Sequence, residues 1–135
     1  EGMKIATKGL SAHIVTHMCY GEFDKIYPKL LELPVDQIDL EMVNSNYDTL
    51  ELFKVHPCTK AIGLGVVDVH SHVVETIDQV KAGIYKALEV LRPDQIYVDP
   101  DCGLKTREVD EAKAKLRVIQ EAVNQVRREL KLDNA

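Results

Sequence analysis

The chain has 135 residues, 45% hydrophobic and 29% charged, which suits one domain with its own core and excludes a disordered or collagen-like chain. Seventeen Lys and Arg against 22 Asp and Glu give a net charge of −5, a poor balance for holding a phosphate backbone or an anionic membrane. No apolar run approaches the ~20 residues of a membrane-spanning helix. No basic start leads into an apolar stretch as in a signal peptide. Three cysteines, Cys19, Cys58 and Cys102, are an odd number and do not make a disulfide framework. They fit metal binding or reduced thiols, and a cytoplasmic location is expected.

Residues 1–10 read as the end of a preceding helix, with Met3, Ile5, Ala6 and Leu10 on its apolar face and Gly9 closing it. The chain is therefore expected to be a fragment. After this stub, short apolar runs alternate four times with amphipathic stretches. The runs are 12–16, 37–42, 61–67 and 95–98, each bounded by Gly, Pro, Asp or Asn as a buried strand should be. The helical stretches are 22–33, 47–54, 75–91 and 109–132. In the third, Ile77, Val80, Ile84, Ala87 and Leu91 share a face. In the last, Val109, Ala112, Leu116, Ile119, Val123, Val126 and Leu130 recur in steps of three and four. That spacing also suits a coiled coil, but its position after three βα units favours a helix laid on a sheet. Pro34, Pro57 and Pro93 stand between a helix and the next strand, where proline stops a helix. Gly63-Leu64-Gly65 lies inside a strand pattern and marks a close backbone approach rather than a phosphate loop.

Four βα units imply an α/β fold with a parallel sheet and helices outside, half of the eight units of a (β/α)8 TIM barrel. Active sites on such folds gather at the C-terminal ends of the strands. All four predicted strands end there in residues capable of chemistry: His17-Met18-Cys19, Asp39-Leu40-Glu41, Asp68-Val69-His70-Ser71-His72 and Asp99-Pro100-Asp101-Cys102-Gly103. His17 and Cys19 are two apart and project to one face of a strand, as do Asp39 and Glu41. Converging on one rim, His17, Cys19, Glu41 and Cys102 supply four donors suited to Zn²⁺. An isolated H-x-C is more simply a buried cysteine beside a capping histidine; Cys102 and Glu41 at the same rim reverse that balance. Cys58, in a helix-to-strand connection, belongs to the opposite end of the sheet. His70 reads equally as an acid–base group or as a histidine satisfied at a strand end by Asp68 or a backbone carbonyl.

The blocks Thr16-His17-Met18-Cys19-Tyr20-Gly21-Glu22-Phe23 and Asp99-Pro100-Asp101-Cys102-Gly103-Leu104-Lys105-Thr106-Arg107 resemble the zinc-binding strand and the last barrel strand of cobalamin-independent methionine synthases. Asp39-Leu40-Glu41 and Asp68-Val69-His70-Ser71 resemble that family's glutamate and histidine strands, in the same order. The resemblance covers nearly all of the chain. It implies that residues 1–135 are the C-terminal half-barrel of a homocysteine methyltransferase, with zinc held by His17, Cys19, Glu41 and Cys102. It also implies that His70 is the proton donor to a departing folate nitrogen. Homocysteine and a methyl donor, either a methyltetrahydrofolate-type compound or a methylcobamide, are the implied partners. One departure stands out: His72 occupies a position where the family usually carries proline.

Two alternatives remain on sequence grounds. One is a methylcobamide:thiol methyltransferase of the coenzyme M type, which shares H-x-C and a later Cys; Glu41 and the 101–107 block favour the methionine-forming group. The other is a non-catalytic zinc-binding chain. Half a barrel is expected to leave two open edges and an apolar concave face, and so to self-associate or pair with the N-terminal half, and to be inactive alone.

Overall fold

Four short strands pair side by side in the computed structural model, which describes residues 1–19 and 21–132. Tyr20, inside the first motif, and the last three residues lie outside the described residues. The strands are β1 (Val15–Met18), β2 (Gln37–Leu40), β3 (Ala61–Gly65) and β4 (Ile96–Asp99), all parallel and in the order β1-β2-β3-β4. Between and around them lie α1 (Gly2–Ala6), α2 (Phe23–Ile26), α3 (Leu50–Val55), α4 (Ile77–Leu88) and α5 (Val109–Glu129). This is the half-barrel arrangement that the alternating pattern predicts.

Local chemistry moves several boundaries. The first strand begins at Val15 rather than at residue 12, because its ladder starts where its partner does, with Val15 opposite Gln37. Ahead of that point Ile14 is held by the Asp36 carboxylate through its N–H, at 2.7 Å. His17 is consequently inside the strand, not beyond it. The expected helix over 22–33 is broken into α2 and a 3-10 turn at Lys29–Glu32. Pro28 lacks an N–H for the helical ladder and drives Tyr27 into an extended conformation, φ −78° and ψ 137°. The helix expected from residue 47 begins at Leu50, because Asn46 and Tyr47 adopt left-handed backbone with φ 49° and 67°. Tyr47 packs its hydroxyl where a Cβ on Gly83 would stand, so glycine there lets α4 approach.

The core lies on the sheet face that carries Ile38, Leu40, Ile62 and Leu64. Val80, Ile84 and Ala87 of α4 and Ile119, Ala122 and Val126 of α5 cover it. The last helix contacts the core through Lys115, Ile119, Ala122 and Val126. Val109 and Leu116, which the periodicity turns inward, are 66% and 48% exposed. The other sheet face presents His17, Gln37, Asp39, Gly63, Gly65, Tyr97 and Asp99, by register and strand alternation. The expected apolar concave face is thus corrected: it is largely polar, with His13 reaching Gln37 at 3.1 Å and lying beside the Tyr97 ring. The glycine reading holds. Gly63 makes room for the Asp39 carboxylate and Gly65 for Asp101, each of which would meet a Cβ at 2.0 or 2.1 Å.

Candidate metal centre

Three of the four expected ligands converge. The ligand atoms of His17, Cys19 and Cys102 lie within 4.8 Å of one another. They come from the two margins of the sheet. Strands spaced ~4.8 Å apart would hold β1 and β4 ~14 Å apart in a flat sheet. Curvature and the turn after β4 close that gap, leaving Cys19 Sγ and Cys102 Sγ 3.6 Å apart. Both thiols are free.

This spacing fits a metal. Two sulfurs at ~2.3 Å from one tetrahedral zinc stand ~3.8 Å apart, and imidazole with thiolate is a common donor set for that ion. The electrostatics agree. The hydrogen bond shared with Cys102, then partial desolvation and the negative charges of Cys102 and Glu41, hold the Cys19 thiol above its ordinary value. Two thiols beside a carboxylate form a donor set whose charge a bound cation would offset.

Glu41 is buried, 7% exposed, and stands outside the 4.8 Å group. Its Oε1 accepts a hydrogen bond from Asn44 Nδ2 at 2.7 Å. Asp39 points onto the concave face, accepting from Gln37 at 2.7 Å. Cys58 sits at the N-terminal end of β3, its Sγ donating to the Lys60 carbonyl at 3.4 Å, far along the strand from the rim.

His70 is exposed, and Asp68 serves its backbone: the Asp68 Oδ1 accepts the His70 N–H at 2.7 Å. His72 pairs Nδ1 with Glu111 of α5 at 2.9 Å. The position where the family carries proline is here tied to a helix by a side chain.

One organising residue escapes motif reading. Asp101 is 1% exposed, and its Oδ1 accepts the N–H groups of Met42 and Val43 at 3.0 and 3.2 Å. Its own N–H donates to the Val67 carbonyl at 3.1 Å. It thus staples the chain after Glu41 and the chain after β3 to the turn that carries Cys102. Burial pushes its carboxyl up to about 6, against the pull of those two amides. Asp99, beneath it on the concave face, is pushed up to about 7 by burial and by the charges of Asp39 and Asp101. The sequence signal for Asp101 is its partner on the neighbouring strand, the glycine at position 65.

Known proteins arrange the same chain in the same way. The chain is 42% identical over 131 residues to a methionine synthase of Saccharolobus islandicus (strain L.S.2.15 / Lassen #1), covering 97% of this chain and 40% of that protein. It is 41% identical, over the same shares, to a methionine synthase of Saccharolobus solfataricus. It spans about 40% of the length of the curated relatives it matches. A solved B12-independent methionine synthase from Shewanella sp. W3-18-1, in complex with selenomethionine, superposes with a TM-score of 0.85 at 26% identity, over 96% of this chain and 43% of that one. The family model for the catalytic domain of cobalamin-independent synthases matches residues 1–125, and the chain belongs to that family.

Proposed function

We propose that this chain is the metal-holding half of a methyltransferase that transfers a methyl group to the thiolate of homocysteine, forming methionine. The observation that carries the reading is the convergence of His17, Cys19 and Cys102 within 4.8 Å at the C-terminal rim. Zinc would be held by these three, with Glu41 as fourth donor. Bound there, zinc supplies the Lewis acidity that keeps a substrate thiol ionised at neutral pH, where a free thiol of pKa ~8.5 is mostly protonated.

The chain's own groups set the rest. Cys19, Cys102 and Glu41 bring three negative charges, which would leave electron density on a third, incoming sulfur. Glu41 is the hardest of the four donors and has another partner in Asn44, so of the four it would be the most weakly committed to the ion. His70, exposed on the segment that follows β3, donates a proton to the leaving nitrogen of a methyltetrahydrofolate-type donor. A methylcobamide donor leaves as reduced cobalt and needs no proton. The polar concave face and the outer edges of β1 and β4 suit closure by further βα units, which would complete the amino-acid and donor pockets. By itself the chain is expected to hold metal without turnover.

Metal analysis of the purified chain tests this. About one zinc per chain is expected. Cys102→Ser should lower affinity by more than ~100-fold, since even residues that only orient ligands contribute ~10–100-fold. Cys58→Ser should leave it unchanged. Equal losses from both would overturn the ligand assignment.

A further inference from the structure

The segment between β3 and α4 carries His70, and nothing in its sequence explains why it should hold one shape. Its geometry does. Lys115 of α5 is fully buried, 0% exposed. Its Nζ donates to the Val73 carbonyl at 2.6 Å and to Glu75 Oε2 at 2.8 Å. The other Glu75 oxygen accepts the Asp68 N–H at 2.9 Å. Asp68 in turn takes the His70 N–H at 2.7 Å. One lysine thus ties the segment together on both sides of the histidine, directly at Val73 and Glu75 and through Glu75 at Asp68.

A buried charge is expensive unless it is paired and hydrogen-bonded, and an alkyl side chain at position 115 would suit the core around Ile119 and Ala122. Among the described residues, the lysine's hydrogen bonds both go to the 68–76 segment. Around this pair, the facing charged groups are Asp68 on the segment itself, with His72 and Glu111 forming a second, exposed contact between the segment and α5 at 2.9 Å.

We propose that Lys115 and Glu75 are positioning residues for His70: their buried ion pair docks the 68–76 segment on α5 and so aims the imidazole at the rim. This rests on the reading of His70 as proton donor. The pair touches no substrate; it acts through the backbone of residues 68–73.

Two measurements separate this inference from the reading beneath it. The first is amide hydrogen exchange in the zinc-loaded chain. Glu75→Gln and Lys115→Met should each speed exchange at Asp68 and His70 by about tenfold or more, a local opening, with zinc affinity unchanged. Unchanged exchange at His70 would overturn the proposal. The second is a double-mutant cycle in the complete enzyme with methyltetrahydrofolate as donor. Lys115→Met or, if that variant folds poorly, Glu75→Gln should lower kcat at least tenfold, part of the ~10²–10⁴-fold that proton transfer supplies, with KM for homocysteine unchanged. In the His70→Gln background the same substitution should have no further effect on kcat. An equal loss in both backgrounds would overturn the proposal. If His70→Gln itself leaves kcat unchanged, the proton-donor reading falls, and the exchange measurement still decides whether the pair docks the segment.

Discussion

At one side of the rim, His17 and Cys19 are exposed and Cys102 half-buried, and the group is assembled from strands at opposite margins of the sheet. At the other, Lys115 and Glu75 are sealed beneath α5, with side-chain exposures of 0% and 14%. Both clusters are polar and both sit where the strands end. The first is open, short of positive charge and fit to receive a metal ion. The second is neutral as a pair and spends its hydrogen bonds within the chain, on Val73 and Asp68 as well as on each other. Groups that must meet a ligand are held on exposed strand ends, whereas groups that must hold a loop are buried where water cannot compete.

Severing the buried pair should give the largest effect. Lys115→Met leaves Glu75 without its charge partner, a loss of about 3–5 kcal/mol in unfolding free energy by analogy with broken buried pairs. Denaturant unfolding of the metal-free chain reads it. If the two clusters are as independent as their geometry implies, metal affinity measured by chelator competition should stay within twofold; a parallel loss would erase the contrast.

Asp99 lies between the two cases, on the concave face below the metal group. Its folded pKa is raised to about 7 by burial and by Asp39 and Asp101. The protonated form is therefore favoured on folding. The associated stability is fully present below the unfolded value of ~3.9 and is lost as pH rises through about 7. Three units correspond to about 4 kcal/mol, on the order of 2 after solvent screening. Asp99→Asn should then stabilise the chain at pH 8 and change nothing at pH 4. A shift of equal size at both pH values would contradict the electrostatic account.

The smallest effect belongs to the exposed contact. The hydrogen bond from His72, chiefly, holds the Glu111 carboxyl below its ordinary value. Its contribution is present above ~4.3, the unfolded value, and disappears as pH falls through the lower folded one. His72→Ala should lower the urea midpoint slightly at pH 6 and not at pH 3. An effect comparable to that of Lys115→Met would mean that the exposed contact, not the buried one, docks the segment.

The order of strands, the glycine approaches at positions 63 and 65 and the rim location of His17, Cys19 and Cys102 were all legible in the sequence. Each is written in local patterns: β-branched runs, a two-residue spacing, a Gly inside a strand. What was not legible depends on partners distant in sequence. The start of β1 follows from where β2 begins. The break at Pro28 was visible as a residue, but its effect on Tyr27 was outweighed by the helical spacing around it. Lys115 is the sharpest case. A lysine among apolar residues in a helix reads as a solvated face, and only Glu75, 40 residues away, turns it into a buried anchor. Glu41 is the converse, expected as a ligand from the pattern and found outside the close group, accepting a hydrogen bond from Asn44.

The sulfur pair has a consequence for the chain as a polymer. Cys19 and Cys102 are 83 residues apart, so an ion gripping both would cross-link most of the molecule into one covalently closed ring. Closing a loop of that length removes about 4.5 kcal/mol of entropy from the unfolded ensemble, by the relation used for disulfides. The ion would act as a drawstring on the sheet, pulling its two outermost strands together across the strands between. Its escape would then be gated by fraying of β1, the thinly covered margin, so that metal residence time becomes a gauge of how tightly the half-barrel is wound.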